Sequence, residues 1–103
     1  IVLRGFPSGH FESSQEANAP ARDARRAAIG VEYAAKVDNP RNWSAEWRIP
    51  FTSLGIDSTK DNLLAFNVSV RKTADNQWRL WRGTGTNTWE VFEAGFIELL
   101  QKR

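Results

Sequence analysis

Alternation of apolar and polar residues is the feature that most constrains how this chain can fold. Between positions 29 and 37 every second residue is apolar, and most residues in between are polar or small. This period places the apolar side chains on one side of an extended strand. We therefore predict a strand with one buried face, which carries Ile29, Val31, Tyr33, Ala35 and Val37.

A second strand of the same kind follows a run of turn-forming residues. Residues 38–42 read Asp-Asn-Pro-Arg-Asn, residue types that favour tight turns. The alternation resumes over residues 43–49, so residues 29–49 are predicted to form a β-hairpin with a five-residue loop. Pro50 and Gly55 suit the start and the left-handed exit of a short helical turn after the hairpin.

The remaining sequence contains further short strand patterns separated by polar turns. Residues 73–77 are turn formers, and residues 21–28 fit either a short helix or a charged loop. Near the N-terminus a Pro-Ser-Gly turn at positions 7–9 separates two strand patterns. The predicted strands outside the hairpin are residues 1–4, 10–13, 64–70, 78–82 and 96–100.

Short strands joined by hairpins predict an all-β fold, an antiparallel β-sandwich with two sheets of the jelly-roll or immunoglobulin-like type. The length of 103 residues fits a single domain over 1–103. Such sandwiches have about seven strands or more, and fewer are recognisable here. The chain also opens on Ile1-Val2-Leu3, inside an apolar pattern, and contains no Met. We expect a fragment of a longer domain, with N-terminal strands missing or supplied by another chain.

Composition excludes several classes of function. The absence of Cys excludes disulfides and thiol nucleophiles, and a net charge of +2 with mixed signs argues against a nucleic-acid partner. No apolar run approaches the roughly 20 residues of a membrane span. The single His10 has no Gly-x-Ser-x-Gly motif to serve. We therefore predict that the chain is not an enzyme and has no catalytic residue.

The acidic side chains also favour a chain without a reaction centre or a metal site. Asp57, Asp61 and Asn62 lie close in sequence but lack the ligand order of a calcium loop. Two carboxylates flanking a cleft would be needed for glycoside hydrolysis, and the available ones suit a solvated surface better. These carboxylates are Glu46, Glu90 and Glu93.

Five tryptophans in 103 residues are the most informative feature for function, because flat indole rings stack on the C–H faces of sugars. Trp43, Trp47 and Trp78 lie on apolar strand faces and are predicted to be core. Trp81 points to the opposite side of its strand from Trp78, and Trp89 lies in a polar loop. The predicted ligand-binding residues are Trp89, Asn87, Trp81, Arg71 and Arg82. The alternative for Trp89 is that it plugs the end of the sandwich.

Residues 43–55, Trp-Ser-Ala-Glu-Trp-Arg-Ile-Pro-Phe-Thr-Ser-Leu-Gly, resemble a segment of family 9 carbohydrate-binding modules. In that family an aromatic strand with a Glu leads into Ile-Pro-Phe and a Ser-Leu-Gly turn. Residues 66–72, 78–82 and 95–99 resemble the later strands of the family in the same order. The resemblance covers residues 29–100.

The resemblance implies a non-catalytic β-sandwich that binds glucan or xylan chain ends or small sugars, often between two tryptophans, one of which is Trp89 here. It implies an oligosaccharide or polysaccharide partner and an extracellular, periplasmic or cell-envelope protein, in which the module could be appended to a glycoside hydrolase or another enzyme outside this chain. It requires no cofactor but allows structural calcium. A neighbouring domain or chain could complete the sandwich. The alternative is a structural or protein-interaction module without sugar binding, which would bury Trp89.

Overall fold

The fold was analysed in a computed structural model, which describes residues 1–83 and 91–100. These residues form eight strands: β1 (Val2–Gly5), β2 (Phe11–Ser14), β3 (Glu32–Asn39), β4 (Asn42–Arg48), β5 (Leu63–Phe66), β6 (Ser69–Lys72), β7 (Gln77–Leu80) and β8 (Gly95–Glu98). They form four two-stranded antiparallel sheets, β1 with β2, β3 with β4, β5 with β8 and β6 with β7. The predicted all-β, antiparallel class is therefore confirmed.

Helical segments in the described residues are short. They are α1 (Ala21–Ala27) and three 3-10 helices, Glu16–Asn18, Phe51–Leu54 and Val91–Glu93. The chain divides into two compact units, Ile1–Asp57 and Ser58–Arg103. The single domain over residues 1–103 stays a prediction.

Residues 21–28, which fitted either a helix or a loop, contain α1. Ala24 and Ala27 are its buried residues, and their small side chains let the helix contact β2 and the 3-10 helix that follows Pro50. The predicted helical turn between Pro50 and Gly55 is confirmed. Gly55 is left-handed at a φ of 70°, where any residue with a Cβ would be strained.

The predicted hairpin of β3 and β4 is confirmed, but its five-residue loop is wrong. Pairing continues out to Asn39 opposite Asn42, which leaves only Pro40 and Arg41 in the loop. The Asn39 side chain explains the difference, because its Oδ1 accepts the Arg41 N–H at 2.9 Å and closes a tighter turn.

A cluster of aromatic rings joins the two hairpins of the first unit. Tyr33 and Trp47 are directly opposite each other on β3 and β4, with ring centroids 4.4 Å apart, and Phe11 lies 5.6 Å from Trp47. The Tyr33 hydroxyl donates to Phe6 O at 2.7 Å, and burial raises the pKa of the Tyr33 phenol. A Cβ on Gly5 would lie 2.5 Å from Tyr33 and 2.6 Å from Trp47. Only glycine therefore fits against these rings.

In the second unit, the single strand predicted over residues 64–70 is wrong, because it is divided into β5 and β6 at Asn67 and Val68. The Asn67 Oδ1 accepts the N–H groups of Arg82 and Val68 at 3.0 and 2.9 Å, and its Nδ2 donates to Arg82 O at 3.0 Å. The side-chain amide thus takes the place of a peptide group beside the ladder. The predicted turn after β6 is confirmed at residues 73–76.

Two tryptophans predicted to be core are exposed. Trp43 is 37% exposed and Trp78 is 42% exposed, whereas Trp47 is half-buried within the aromatic cluster. A two-stranded ladder is too narrow to enclose side chains by itself. None of the described residues of the second unit is buried.

An ion pair ties β1 to the segment after β2. Arg4 Nη2 donates to both carboxylate oxygens of Glu16 at 2.8 and 2.7 Å, and Ser14 Oγ donates at 3.1 Å. Glu12 is 3.4 Å from Arg4 Nη1. The hydrogen bonds from Arg4 lower the pKa of Glu16, and the pKa of Arg4 is raised in return.

We expect Glu16→Gln to lower the free energy of unfolding by about 1 kcal/mol near pH 7, and the control Glu12→Gln to lower it by less. A carboxyl with a lowered pKa stabilises the fold above its ordinary pKa of 4.5, and this stabilisation is lost as the pH falls through the folded value. The gap between wild type and Glu16→Gln should therefore narrow on acidification. Urea denaturation at several pH values measures it, and a gap independent of pH would contradict the assignment.

Candidate functional site

The structure describes three of the residues predicted to bind ligand. Arg71 lies on β6, and Trp81 and Arg82 directly follow β7. All three are exposed. Trp89 and Asn87 lie outside the described residues, so the candidate site is built from the β6–β7 hairpin.

The register of this hairpin sorts its side chains onto two faces. Arg71 is directly opposite Trp78, Val70 is opposite Arg79, and the Trp81 N–H donates to Val68 O at 2.9 Å in the same register. Because side chains alternate along a strand, the Trp78 face carries Ser69, Arg71, Trp78 and Leu80. The Trp81 face carries Val68, Val70, Lys72, Gln77, Arg79 and Trp81. Arg71 and Trp81 therefore do not converge on one ligand.

Arg82 is also separated from Arg71. The residue opposite Arg71 is Trp78, and Arg82 lies four positions further along the chain, which corresponds to about 13 Å of extended strand. Both main-chain hydrogen-bonding groups of Arg82 are bound by the Asn67 amide. The structure thus places Arg82 beside Trp81 at the end of the hairpin remote from Arg71.

The Trp81 ring is seated against the β5–β8 ladder. A Cβ on Gly95 would lie 2.6 Å from Cζ3 and 2.8 Å from Cη2 of the indole. Phe66, the strand partner of Gly95, lies 6.1 Å from the Trp81 ring at an interplanar angle of 58°. Trp81 remains 58% exposed. One side of the indole therefore lies against Gly95 and Phe66, while more than half of the residue's surface is open to solvent.

Arg71 has an oriented guanidinium. Its Nε and Nη2 donate to Asn76 Oδ1 at 3.1 and 2.8 Å. Asn76 is left-handed at a φ of 53°, a conformation that Asn adopts more readily than most residues. The neighbouring Asp75 instead accepts the Gln77 N–H at 3.3 Å and lies 3.9 Å from Lys72. A neutral amide, rather than a carboxylate, therefore holds Arg71.

Trp78 is exposed and lies directly opposite Arg71 in the ladder. Trp81 and Val68 form a hydrogen-bonded pair, so the alternation of an antiparallel ladder makes Arg71 and Trp78 a non-hydrogen-bonded pair. In such pairs the Cα atoms are only about 4.5 Å apart and the side chains are close. The Trp78 face thus brings together a 42% exposed indole and a planar donor group.

Two residues of the candidate site, Trp78 and Asn76, are not among the predicted ligand-binding residues. Trp78 shares a strand face with Leu80, a pattern that predicts a core position, and Asn76 lies in a run of turn formers. The length of the turn between β6 and β7 contains the information that would identify Trp78. A four-residue turn at 73–76 pairs Lys72 with Gln77, and this register places Trp78 opposite Arg71.

The acidic side chains and the histidine considered for catalysis or metal binding are exposed where the structure describes them. Within residues 1–83 and 91–100, no group of three or more His, Asp or Glu side chains could hold a metal ion. His10 is exposed and stacks on Phe6 with ring centroids 5.8 Å apart. Glu46 and Glu93 are exposed, and Glu90 lies outside the described residues.

No protein-family model, curated protein or solved structure matches this chain. The resemblance to family 9 carbohydrate-binding modules therefore rests on the strand signatures of residues 29–100 alone. Among the helices of the described residues, none combines the length and the apolar character needed to cross a membrane.

We expect Gly95→Ala to displace the Trp81 ring, because the added methyl would meet the indole at 2.6 Å. Overpacking of this kind destabilises a fold by about 1–3 kcal/mol. Thermal denaturation and near-ultraviolet circular dichroism measure the two effects. Gly83→Ala is the matched control, since no atom of the described residues lies within 4 Å of its Cβ position. Equal behaviour of the two variants would show that Trp81 is not seated on Gly95.

Proposed function

We propose that this chain is a non-catalytic carbohydrate-binding domain in which a sugar ring stacks on Trp78. The observation that carries the proposal is the oriented guanidinium of Arg71 opposite an exposed indole. An indole face matches the apolar C–H face of a pyranose. A planar guanidinium supplies several hydrogen-bond donors to the hydroxyl groups at the edge of the ring.

Preorganisation supports this choice of site. Ordering a mobile side chain on binding costs about 0.5–1.5 kcal/mol, and two hydrogen bonds to Asn76 already orient Arg71. Trp78 adds flat contact area with only two rotatable side-chain bonds. Trp81 is proposed instead as a packing residue, because its ring lies on Gly95 and beside Phe66.

The proposal extends to the architecture and the setting of the domain. We propose that the Trp81 face, with Val68 and Val70, is covered by a second sheet in a two-sheet β-sandwich of the jelly-roll or immunoglobulin-like type. The Trp78 face then remains available to ligand. Trp89 and Asn87 stay predicted ligand residues in a neighbouring loop, and the protein is proposed to be extracellular or periplasmic.

A structural or protein-interaction module is the second candidate function. Large apolar side chains of the second unit support it, since Leu63 is 61% and Phe96 64% exposed on the β5–β8 ladder. Exposed apolar faces and strand edges are typical of surfaces that bind another chain. This candidate requires no sugar and assigns the tryptophans to a protein interface.

We expect Trp78→Ala to weaken sugar binding about tenfold or more, since loss of an aromatic stacking contact costs on the order of 1.4 kcal/mol. Trp43→Ala is the matched control, because Trp43 is comparably exposed (37% against 42%) on a different hairpin. Isothermal titration calorimetry with cellobiose, xylobiose and soluble glucans measures both variants against wild type.

The two candidate functions give different results in this experiment. Saturable heat that is lost only in Trp78→Ala supports sugar binding at the Trp78 face. A folded wild type that binds none of these sugars, nor the acidic sugars considered below, would favour the interaction module. Equal losses in Trp78→Ala and Trp43→Ala would place any sugar site elsewhere.

A further inference from the structure

The positive charge of Arg71 has no acidic partner in the part of the chain that the structure describes. Its hydrogen bonds there go to the neutral Asn76 amide. The adjacent acid, Asp75, is engaged by Lys72 and by the Gln77 main chain. Residues 69–82 contain four basic side chains and this one acid. The hairpin therefore carries an excess of positive charge, of which Arg71 lies directly opposite Trp78.

The remaining donors of Arg71 have a geometry suited to a carboxylate. A guanidinium has five N–H groups, and Asn76 uses one on Nε and one on Nη2. Within residues 1–83 and 91–100 no group binds the outer edge, a two-pronged fork formed by Nη1 and the second N–H of Nη2. Carboxylates bind such forks with two parallel hydrogen bonds, which are stronger than bonds between neutral groups.

We propose that the sugar bound on the Trp78 face is acidic, and that its uronate carboxylate pairs with the outer edge of Arg71 while its ring stacks on Trp78. This inference rests on the proposed function, since it specifies the ligand class of the same site. Asn76 is a positioning residue that aims the guanidinium without touching the ligand. A single oriented cation beside one indole fits one carboxylated sugar ring better than a row of phosphates.

The test compares trigalacturonate with its methyl ester, which has the same ring shape but no charge. Calorimetry at constant ionic strength should show about tenfold or greater preference of the wild type for the acid, because charge-assisted bidentate pairs exceed neutral hydrogen bonds by this order. Arg71→Lys keeps the charge but removes the fork, so this preference should fall to about threefold or less. Arg79→Lys, an exposed change on the opposite face, should retain it.

Asn76→Gly tests the positioning role. Glycine tolerates the left-handed conformation of Asn76 and so preserves the turn, but it removes the amide that orients Arg71. Preference for the acid should fall while binding of the ester changes little, an outcome that general loss of structure would not produce. Circular dichroism of each variant confirms that the hairpin is retained.

Several results would overturn the inference, and they differ from failure of sugar binding itself. Equal affinity for acid and ester would leave a neutral-sugar site at Trp78 and refute only the acidic ligand. No binding of either compound, or of the neutral sugars tested above, would refute both proposals. Equal losses in Arg71→Lys and Arg79→Lys, or equally tight binding of a single-stranded oligonucleotide, would identify a non-specific cationic surface.

Discussion

The side-chain amide of Asn67 is the interaction on which the second unit depends. It binds both main-chain groups of Arg82 and the N–H of Val68. Main-chain groups that leave a ladder must bind either water or another protein group, and the crossing point between the two ladders has such groups. The amide supplies those partners, so the chain passes from the β5–β8 ladder to the β6–β7 ladder. The position of Trp81 follows, because it directly precedes the residue that Asn67 holds.

The same residue type has different roles here according to what lies opposite it in a ladder. Trp47 is paired with Tyr33 and packs on Phe11, so its ring becomes part of an aromatic cluster. Trp78 is paired with Arg71, and no described aromatic ring contacts it. In the first unit two hairpins stack through these rings. Cross-strand pairing therefore separates tryptophans that stabilise the fold from one that is available to a ligand.

The sequence predicts what depends on local patterns and turn chemistry. Alternation located β3 and β4, and the conformational freedom of Gly55 located the end of the helical turn. The short loop escaped prediction because it depends on how the Asn39 side chain bonds. The division of the predicted strand at Asn67 could not be predicted from local patterns, because the Asn67 side chain binds Arg82, which is 15 residues away. A period of two identifies the apolar face of a strand, but it does not show whether another layer covers that face. The predicted core position of Trp43 is wrong for this reason.

Residues of the candidate site were only partly predictable for the same reason. Arg71 was identified from its chemistry, but its partners Asn76 and Trp78 emerge only from the register of the hairpin. Trp81 is exposed, as the sequence predicts, but the ring beside it is that of the apolar Phe66. Composition and strand alternation thus identify the β6–β7 hairpin as a candidate site. Only the register of the two strands shows which side chains share a face.

The charge of Arg71 on the Trp78 face has a consequence for how the hairpin can be covered. Transferring an ion without a counter-ion into an apolar layer costs several kcal/mol or more, whereas the valines of the Trp81 face gain from being covered. Arg71 therefore disfavours an apolar layer over the Trp78 face. Arg79, opposite Val70, sets the same limit on the Trp81 face, so a layer that covers the valines must leave the Arg79 guanidinium in water.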